Sequence, residues 1–207
     1  MTLVEPNPHE TSHSDYLDRL MRRDSFSALW PLFAKAQRPA KELTESFSAL
    51  VHLRPFMRGN EPCRVVHVGD GAHARTAALF CLKTKASNIS VDPDMNIQLV
   101  DDWSRRFGIV GLERYKARIE DVVSEVNALP AAHTLVTFVH AHVAVAEVLA
   151  QLRWHAAFTL ACCLPGRQLL RGTSSYVVHA EGEDPNVLSS GRKYQVLLNL
   201  RETAPRL

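Results

Sequence analysis

The stretch Val65–Ala74 carries the most informative spacing in the chain. Directly after an apolar run, it places Gly69 and Gly71 on either side of Asp70. Glycines after a buried strand let the backbone turn tightly and approach a ligand closely, and we expect the following helix to present its N-terminal amides to an anion. Asp92 comes 21 residues after Gly71, at the end of the next predicted strand. A carboxylate there can accept hydrogen bonds from both ribose hydroxyls of an adenosine, so the order of elements predicts a nucleoside-containing ligand.

A second set of reactive side chains follows two later predicted strands. His140 and His142 come after the apolar run Thr134–Val139, and Cys162 and Cys163 come after the next such run. If these strands are neighbours in a parallel sheet, all four side chains converge at its carboxyl edge.

Three interpretations of this set remain open. A histidine could act as a general base, since its unperturbed pKa of about 6.5 suits proton transfer at neutral pH. Two imidazoles and two thiolates could bind zinc, although adjacent cysteines on a strand point to opposite faces, and we therefore predict no metal site. The cysteines could also be structural, because buried cysteines behave as small hydrophobes.

The elements that position these residues follow from hydrophobic periodicity. Apolar residues recur every three or four positions from Ser14 to about Ala36 and from Ala40 to Leu53, which predicts a helical extension over residues 1–60 that begins with a loose tail. Strands and helices then alternate, which is typical of a parallel sheet covered on both faces. Two β-rich runs, Ser175–His179 and Tyr194–Leu200, have no helix between them and predict an antiparallel hairpin at the end of a second domain, 61–207.

This layout resembles the Rossmann-like, class I, S-adenosylmethionine (SAM)-dependent methyltransferases over about Glu61 to Leu200. The resemblance implies an α/β fold, a seven-stranded sheet closed by an antiparallel hairpin, with SAM as cofactor. It implies roles for a set of residues around the glycine turn: Gly69 and Gly71 at the methionine part, Asp70 between them as a further cofactor-binding residue, Asp92 at the ribose, Pro93 and Asp94 beside the adenine, and Glu120 or Asp121 at the adenine amino group. His67 belongs to the same cofactor motif, but it stands where the family carries an acid, and His73 replaces the third glycine.

The histidine and cysteine segments are similar to one methyltransferase-like branch that includes tRNA-modifying members. That branch carries His-Ala-Cys-Asp or His-Leu-Cys-Gly after the fourth strand and Pro-Cys-Cys after the fifth; here His142 replaces the motif cysteine, and Ala161 replaces the proline. The resemblance implies a substrate site beside the transferred methyl group. Its predicted members are His140, His142 and Cys162 as catalytic residues, and Cys163, Arg167 and Arg171 as substrate contacts.

Composition limits the partners and the setting. The net charge of +2 does not by itself indicate nucleic acid binding, and no run approaches the roughly 20 apolar residues of a membrane span. Four cysteines without CxxC spacing indicate reduced thiols, so we predict a cytoplasmic protein. Arg167 and Arg171 could contact RNA phosphates, and the N-terminal helices could bind a protein partner.

Three functions compete. The first is a SAM-dependent methyltransferase with an RNA or protein acceptor. The second is a binding or assembly module that kept the fold and lost catalysis, which His73 projecting into the methionine pocket would favour. The third and weakest is a nicotinamide-dinucleotide-binding protein, because Gly69–Ala74 also fits G-x-G-x-x-A; the helical extension and the final hairpin count against it.

Overall fold

A seven-stranded sheet forms the centre of the molecule. The computed structural model describes residues 14–22, 26–57, 62–161 and 165–203. The strand order is β3-β2-β1-β4-β5-β7-β6. The strands are β1 Cys63–Val68, β2 Ser87–Val91, β3 Leu112–Tyr115, β4 His133–Val139, β5 Ala156–Leu160, β6 Tyr176–Glu183 and β7 Lys193–Asn199. Strands β1 to β5 are parallel, and β7 lies antiparallel between β5 and β6, which confirms the predicted sheet and its closing hairpin.

Helices lie before, between and after the strands in the chain. They are α1 Asp15–Met21, α2 Phe26–Phe33, α3 Pro39–Leu53, α4 Arg75–Lys83, α5 Ile97–Arg106, α6 Ile119–Ala128, α7 Val145–Gln151, α8 Pro165–Gln168 and α9 Leu200–Thr203. The first three form the predicted helical extension. Within the described residues, no helix has the length and apolar character needed to cross a membrane.

The third strand lies earlier in the chain than the sequence predicted. We expected a short strand at Tyr115–Ile119, whereas β3 ends at Tyr115 and Ile119 is the first residue of α6. Backbone pairing with β2 sets this position, since Asn88 is in register with Leu112 and Val91 with Tyr115. In the sequence, apolar residues at the end of a strand cannot be distinguished from those at the start of a helix, and the pairing of strands in the sheet decides between them.

Two apolar layers cover the sheet, one on each face. Along β1, Val65 belongs to one layer and Val66 to the other, as expected from the alternation of side chains on a strand. The layer that contains Val65 also contains Phe33, Leu43 and Leu50 from the N-terminal helices. The extension therefore shares its core with the sheet.

A buried carboxylate fastens the extension to the β6–β7 connection. Asp184 Oδ2 accepts hydrogen bonds from the Tyr16 hydroxyl at 2.7 Å and the Ser48 hydroxyl at 2.6 Å, and His52 Nε2 lies 3.5 Å away. Burial alone would raise the pKa of Asp184, but the hydrogen bonds from His52, Ser48 and Tyr16 outweigh it and lower that pKa to about 2. An ionised Asp184 thus ties α1 and α3 to the hairpin.

Candidate cofactor site

The turn after β1 requires both of its glycines. Gly69 and Gly71 have φ of +69° and +71°, in the left-handed region that favours glycine. A Cβ on Gly69 would lie 2.8 Å from the Cβ of Ala141, whereas a Cβ on Gly71 would meet nothing within 4 Å. Gly69 therefore allows the close packing of the turns after β1 and β4, and Gly71 leaves open space above the backbone.

Asp70 corrects one expectation about this turn. Its carboxylate accepts hydrogen bonds from the amides of Thr76 and Ala77 at 2.9 and 3.0 Å and from the hydroxyl of Ser90 at 3.0 Å. We expected the N-terminal amides of α4 to face a bound anion, but the protein's own carboxylate occupies two of them. Burial raises the pKa of Asp70, which is consistent with a structural carboxyl group inside the turn.

Asp92 follows β2 directly and lies beside the glycine turn. Its Oδ2 accepts the Gly71 amide at 2.8 Å and its Oδ1 accepts the Asp94 amide at 2.8 Å. Since a carboxylate has about four lone-pair positions, each oxygen can accept one more hydrogen bond. The side chain is buried in the wall of the turn rather than in the lining of the cavity described next.

A cavity of about 330 Å³ opens above the glycine turn. Its lining comes from α3, the glycine turn, the start of α4 and the end of β4: Lys41, Glu42, Glu45, Ser46, Gly69, Asp70, Gly71, Ala72, His73, Arg75, Thr76, Val139 and His140. Two ion pairs cross the α3 side. Lys41 Nζ lies 2.8 Å from Glu45 Oε1, and Arg75 Nη1 lies 2.5 Å from Glu42 Oε2. The volume falls within the range of small-molecule sites.

His140 is the predicted catalytic residue that the fold brings to this cavity. Its backbone has φ of +53°, unusual for a residue with a side chain. Its Nε2 lies 2.5 Å from Oε1 of the buried Glu45. His142, two residues further on, is exposed and outside the cavity lining.

The predicted cysteine pair cannot be compared with this geometry. Cys162 and Cys163 lie outside the described residues, so their convergence with His140 stays a prediction. Among the residues that are described, no group of three or more His, Cys, Asp or Glu side chains could hold a metal ion.

The two histidines that depart from the cofactor motif lie in different places. His67 is buried beneath the turn, where Nδ1 bonds to Thr137 Oγ1 at 2.9 Å and Nε2 to Asn88 Oδ1 at 3.1 Å. Its side chain therefore links β1 to β4 and β2, and burial lowers its pKa. His73 lines the cavity, and burial followed by the charge of Arg75 lowers its pKa.

The remaining predicted residues are exposed and lie outside the 330 Å³ cavity. They are Pro93, Asp94, Glu120, Asp121, Arg167 and Arg171. The Asp92 amide donates to the Tyr115 carbonyl at 3.1 Å, so the ends of β2 and β3 are adjacent. Gln168, in the same short helix as Arg167, donates to the carbonyl of Ala141. Arg167, the residue before Gln168, therefore lies near the turn that follows β4.

Sequence reasoning missed the contribution of α3. Lys41, Glu42 and Glu45 form one wall of the cavity, and Arg75 from α4 pairs with that wall. The available signal was weak: in the amphipathic sequence of α3, Glu45 lies between two small hydroxyl residues, Thr44 and Ser46. Spacing alone did not distinguish this pattern from a solvated helix face.

Comparisons with known proteins identify the fold. No protein-family model and no curated protein sequence matches the chain. A point mutant of MtNAS superposes with a TM-score of 0.55 at 11% identity, covering 84% of this chain and 69% of that one. The same mutant, solved in complex with S-adenosylmethionine, gives 0.54 at 11% identity over 89% and 74% of the two chains. YhhF from Escherichia coli, provisionally described as a methyltransferase, gives 0.55 at 10% identity over 75% and 85%.

A further structural match covers less than half of the matched protein. This chain spans 40% of WbdD, a bifunctional kinase-methyltransferase, with a TM-score of 0.49 at 16% identity. At such identities a match shows the fold alone. The sheet order, the closing hairpin and the MtNAS and YhhF structures together define a methyltransferase-type, Rossmann-like fold.

Proposed function

We propose that the protein binds SAM and acts as a SAM-dependent methyltransferase. The observation that carries the proposal is the 330 Å³ cavity above Gly69 and Gly71, at the carboxyl edge of β1 and β4. Ligands of open α/β sheets bind at this edge. One MtNAS structure of the same fold was solved in complex with SAM.

The charged residues around the cavity fit the amino acid end of this cofactor. The cavity presents carboxylates and cations together, which suits the zwitterionic amino acid end of SAM. Asp92 lies outside the cavity lining, bonded to the Gly71 amide, and keeps lone pairs that could accept from ribose hydroxyls. When bound, SAM supplies an already activated methyl group, so the protein has mainly to bind and orient its substrates.

We assign the acceptor side of the site to the residues that follow β4 and β5. His140 stands at the cavity wall, where Glu45 fixes its ring. The predicted catalytic residue Cys162 and the predicted substrate contacts Cys163, Arg167 and Arg171 follow β5, the neighbour of β4. The proposal includes an RNA or protein acceptor. The basic side chains Arg167 and Arg171 support it, because such side chains contact the phosphates of RNA.

Calorimetric titration with SAM and S-adenosylhomocysteine tests the proposal. We expect micromolar binding, and we expect Asp92→Ala to weaken it more than tenfold, about 1.4 kcal/mol. Asp102→Ala, an exposed change on α5, is the matched control and should bind as the unchanged protein does. Circular dichroism should show that Asp92→Ala remains folded. Absence of binding to both compounds would reject the proposal.

A non-enzymatic binding or assembly module is the second candidate, and His73 favours it. This side chain lines the cavity at the position where the family motif has its third glycine. A folded protein that fails to bind SAM in that titration, but binds it after His73→Gly, would support this candidate.

The dinucleotide alternative is disfavoured by charge. A pyrophosphate over the glycine turn would use the N-terminal amides of α4, but Asp70 already accepts those of Thr76 and Ala77. Glu42 and Glu45 would also face the phosphates. The closing hairpin, which counted against this function in the sequence, is present.

A further inference from the structure

The first motif lacks the acid that the resemblance leads one to expect, and His67 does not replace it. Both ring nitrogens of His67 bond to neighbouring strands beneath the turn. Two other acids, Glu42 and Glu45, reach the cavity from α3, before the Rossmann-like part of the chain.

We propose that α3 supplies the missing recognition of the cofactor's amino acid end. Glu45 and Glu42 bind the ammonium group, and Lys41 and Arg75 bind the carboxylate. This inference rests on the proposed function, because it names the residues that bind one end of SAM.

Glu45 is placed to take a cation. Its side chain is 3% exposed and belongs to the cavity lining. Lys41 Nζ lies 2.8 Å from Oε1 and 3.1 Å from Oε2, and His140 Nε2 lies 2.5 Å from Oε1. These contacts leave Oε2 with capacity for a further donor, since each carboxylate oxygen has two lone pairs. A buried carboxylate is stabilised by additional charged hydrogen bonds.

Arg75 is placed to take a carboxylate. Its Nε donates to the Leu32 carbonyl at 2.9 Å and its Nη1 to Glu42 at 2.5 Å, so two partners fix the plane of the guanidinium. A guanidinium has five N–H donors in a planar fork that matches a carboxylate. Its position at the first residue of α4 places it directly after the glycine turn.

The charges of this wall select for a zwitterion. Two carboxylates and two cations form adjacent ion pairs, Lys41–Glu45 and Arg75–Glu42. A ligand end with one positive and one negative group can join both pairs without leaving a charge uncompensated. A ligand with no charged end gains nothing from them.

Titration with two ligands tests the inference. S-adenosylhomocysteine and methylthioadenosine are both neutral thioethers with the same adenosine, and only S-adenosylhomocysteine carries the amino acid end of SAM. We expect Glu45→Gln to weaken S-adenosylhomocysteine binding about tenfold or more and to change methylthioadenosine binding less than twofold. Glu42→Gln should act in the same direction and is the safer variant for folding, because its side chain is 33% exposed. Glu147→Gln, an exposed change on α7, is the matched control.

The outcomes separate the inference from the proposed function. If folded variants bound both ligands equally more weakly, or bound both as tightly as the unchanged protein does, the inference would be overturned. The proposed function would still stand. Equal affinity of the unchanged protein for the two ligands would do the same. If neither ligand binds the unchanged protein, both the inference and the proposed function fail.

Discussion

The two aspartates of the cofactor motif have different structural roles, although both flank the same turn. Asp70 points back into the protein and caps α4 through Thr76 and Ala77. Asp92 bonds to the Gly71 amide and keeps lone pairs for a ligand. Sequence spacing identified both residues, and only the hydrogen bonds show that Asp70 caps a helix whereas Asp92 links the end of β2 to the glycine turn.

Replacing each glycine by alanine should separate backbone strain from steric clash. Gly69 and Gly71 have nearly the same positive φ, so alanine at either position costs about 1 kcal/mol of strain. Only Gly69→Ala also forces a Cβ against Ala141, at 2.8 Å. We expect Gly69→Ala to destabilise the fold by about 2–4 kcal/mol and Gly71→Ala by about 1 kcal/mol in urea unfolding. Equal losses would show that the clash relaxes without cost.

At the scale of elements, α3 combines three tasks along 15 residues. Leu43 and Leu50 fill the core, Glu45 faces the cavity, and Ser48 bonds to Asp184. The helix therefore connects the closing hairpin to the candidate cofactor site.

The Asp184 anchor should make stability depend on pH in the acid range. Its pKa of about 2 in the folded protein lies below the ordinary value of 3.8. A lowered carboxyl pKa stabilises the folded state above pH 4, by about 2 kcal/mol for this difference, and that contribution is lost as the pH falls from about 4 to about 2. We expect Asp184→Asn to be less stable than the unchanged protein at pH 7 and to approach it near pH 2, measured by urea unfolding at each pH.

The neighbouring residue provides the control for this anchor. Glu183 is half-exposed and pairs with Arg192 at 3.3 Å, so Glu183→Gln should change stability by less than about 1 kcal/mol. If Asp184→Asn showed the same small and pH-independent effect, the network with Tyr16 and Ser48 would not be a stabilising anchor.

At the scale of the whole molecule, the helical extension and the sheet behave as parts of one core. Leu29, Phe33 and Leu53 are fully buried, and they pack in the same layer as Leu135 and Phe158 of the sheet. Removing the helices would expose this face of the sheet to water. Each large apolar side chain that loses its burial costs about 1.5–3 kcal/mol.

Truncation tests this view of the molecule. We predicted two regions, 1–60 and 61–207, from the sequence, and we now expect the chain that starts at residue 61 not to fold by itself. It should bind a hydrophobic dye and show no cooperative thermal transition, whereas the full chain should unfold in one transition. A soluble, cooperatively folded fragment 61–207 would show instead that the extension is an independent addition.

Much of the fold follows from local sequence patterns, and much of the site does not. Alternating strands and helices, the glycine turn and the final hairpin depend on residues close together in the chain, so Gly69, Gly71 and Asp92 could be placed in advance. The position of β3 required pairing with β2, and apolar periodicity did not resolve it. The cavity wall required α3 to pack over the sheet edge, which brings Glu45 beside His140, 95 residues away in the chain.

The sequence by itself determined the type of sheet, the location of its glycine turn and the acid beside that turn, because backbone geometry and side-chain periodicity are local properties. Only the tertiary structure decided which charged groups face the cavity. Burial and long-range pairing assigned His67 to the sheet interior, Asp70 to the helix cap and Glu45 to the cavity wall. These assignments depend on which distant side chains meet in space, since a polar group that leaves water must find a partner.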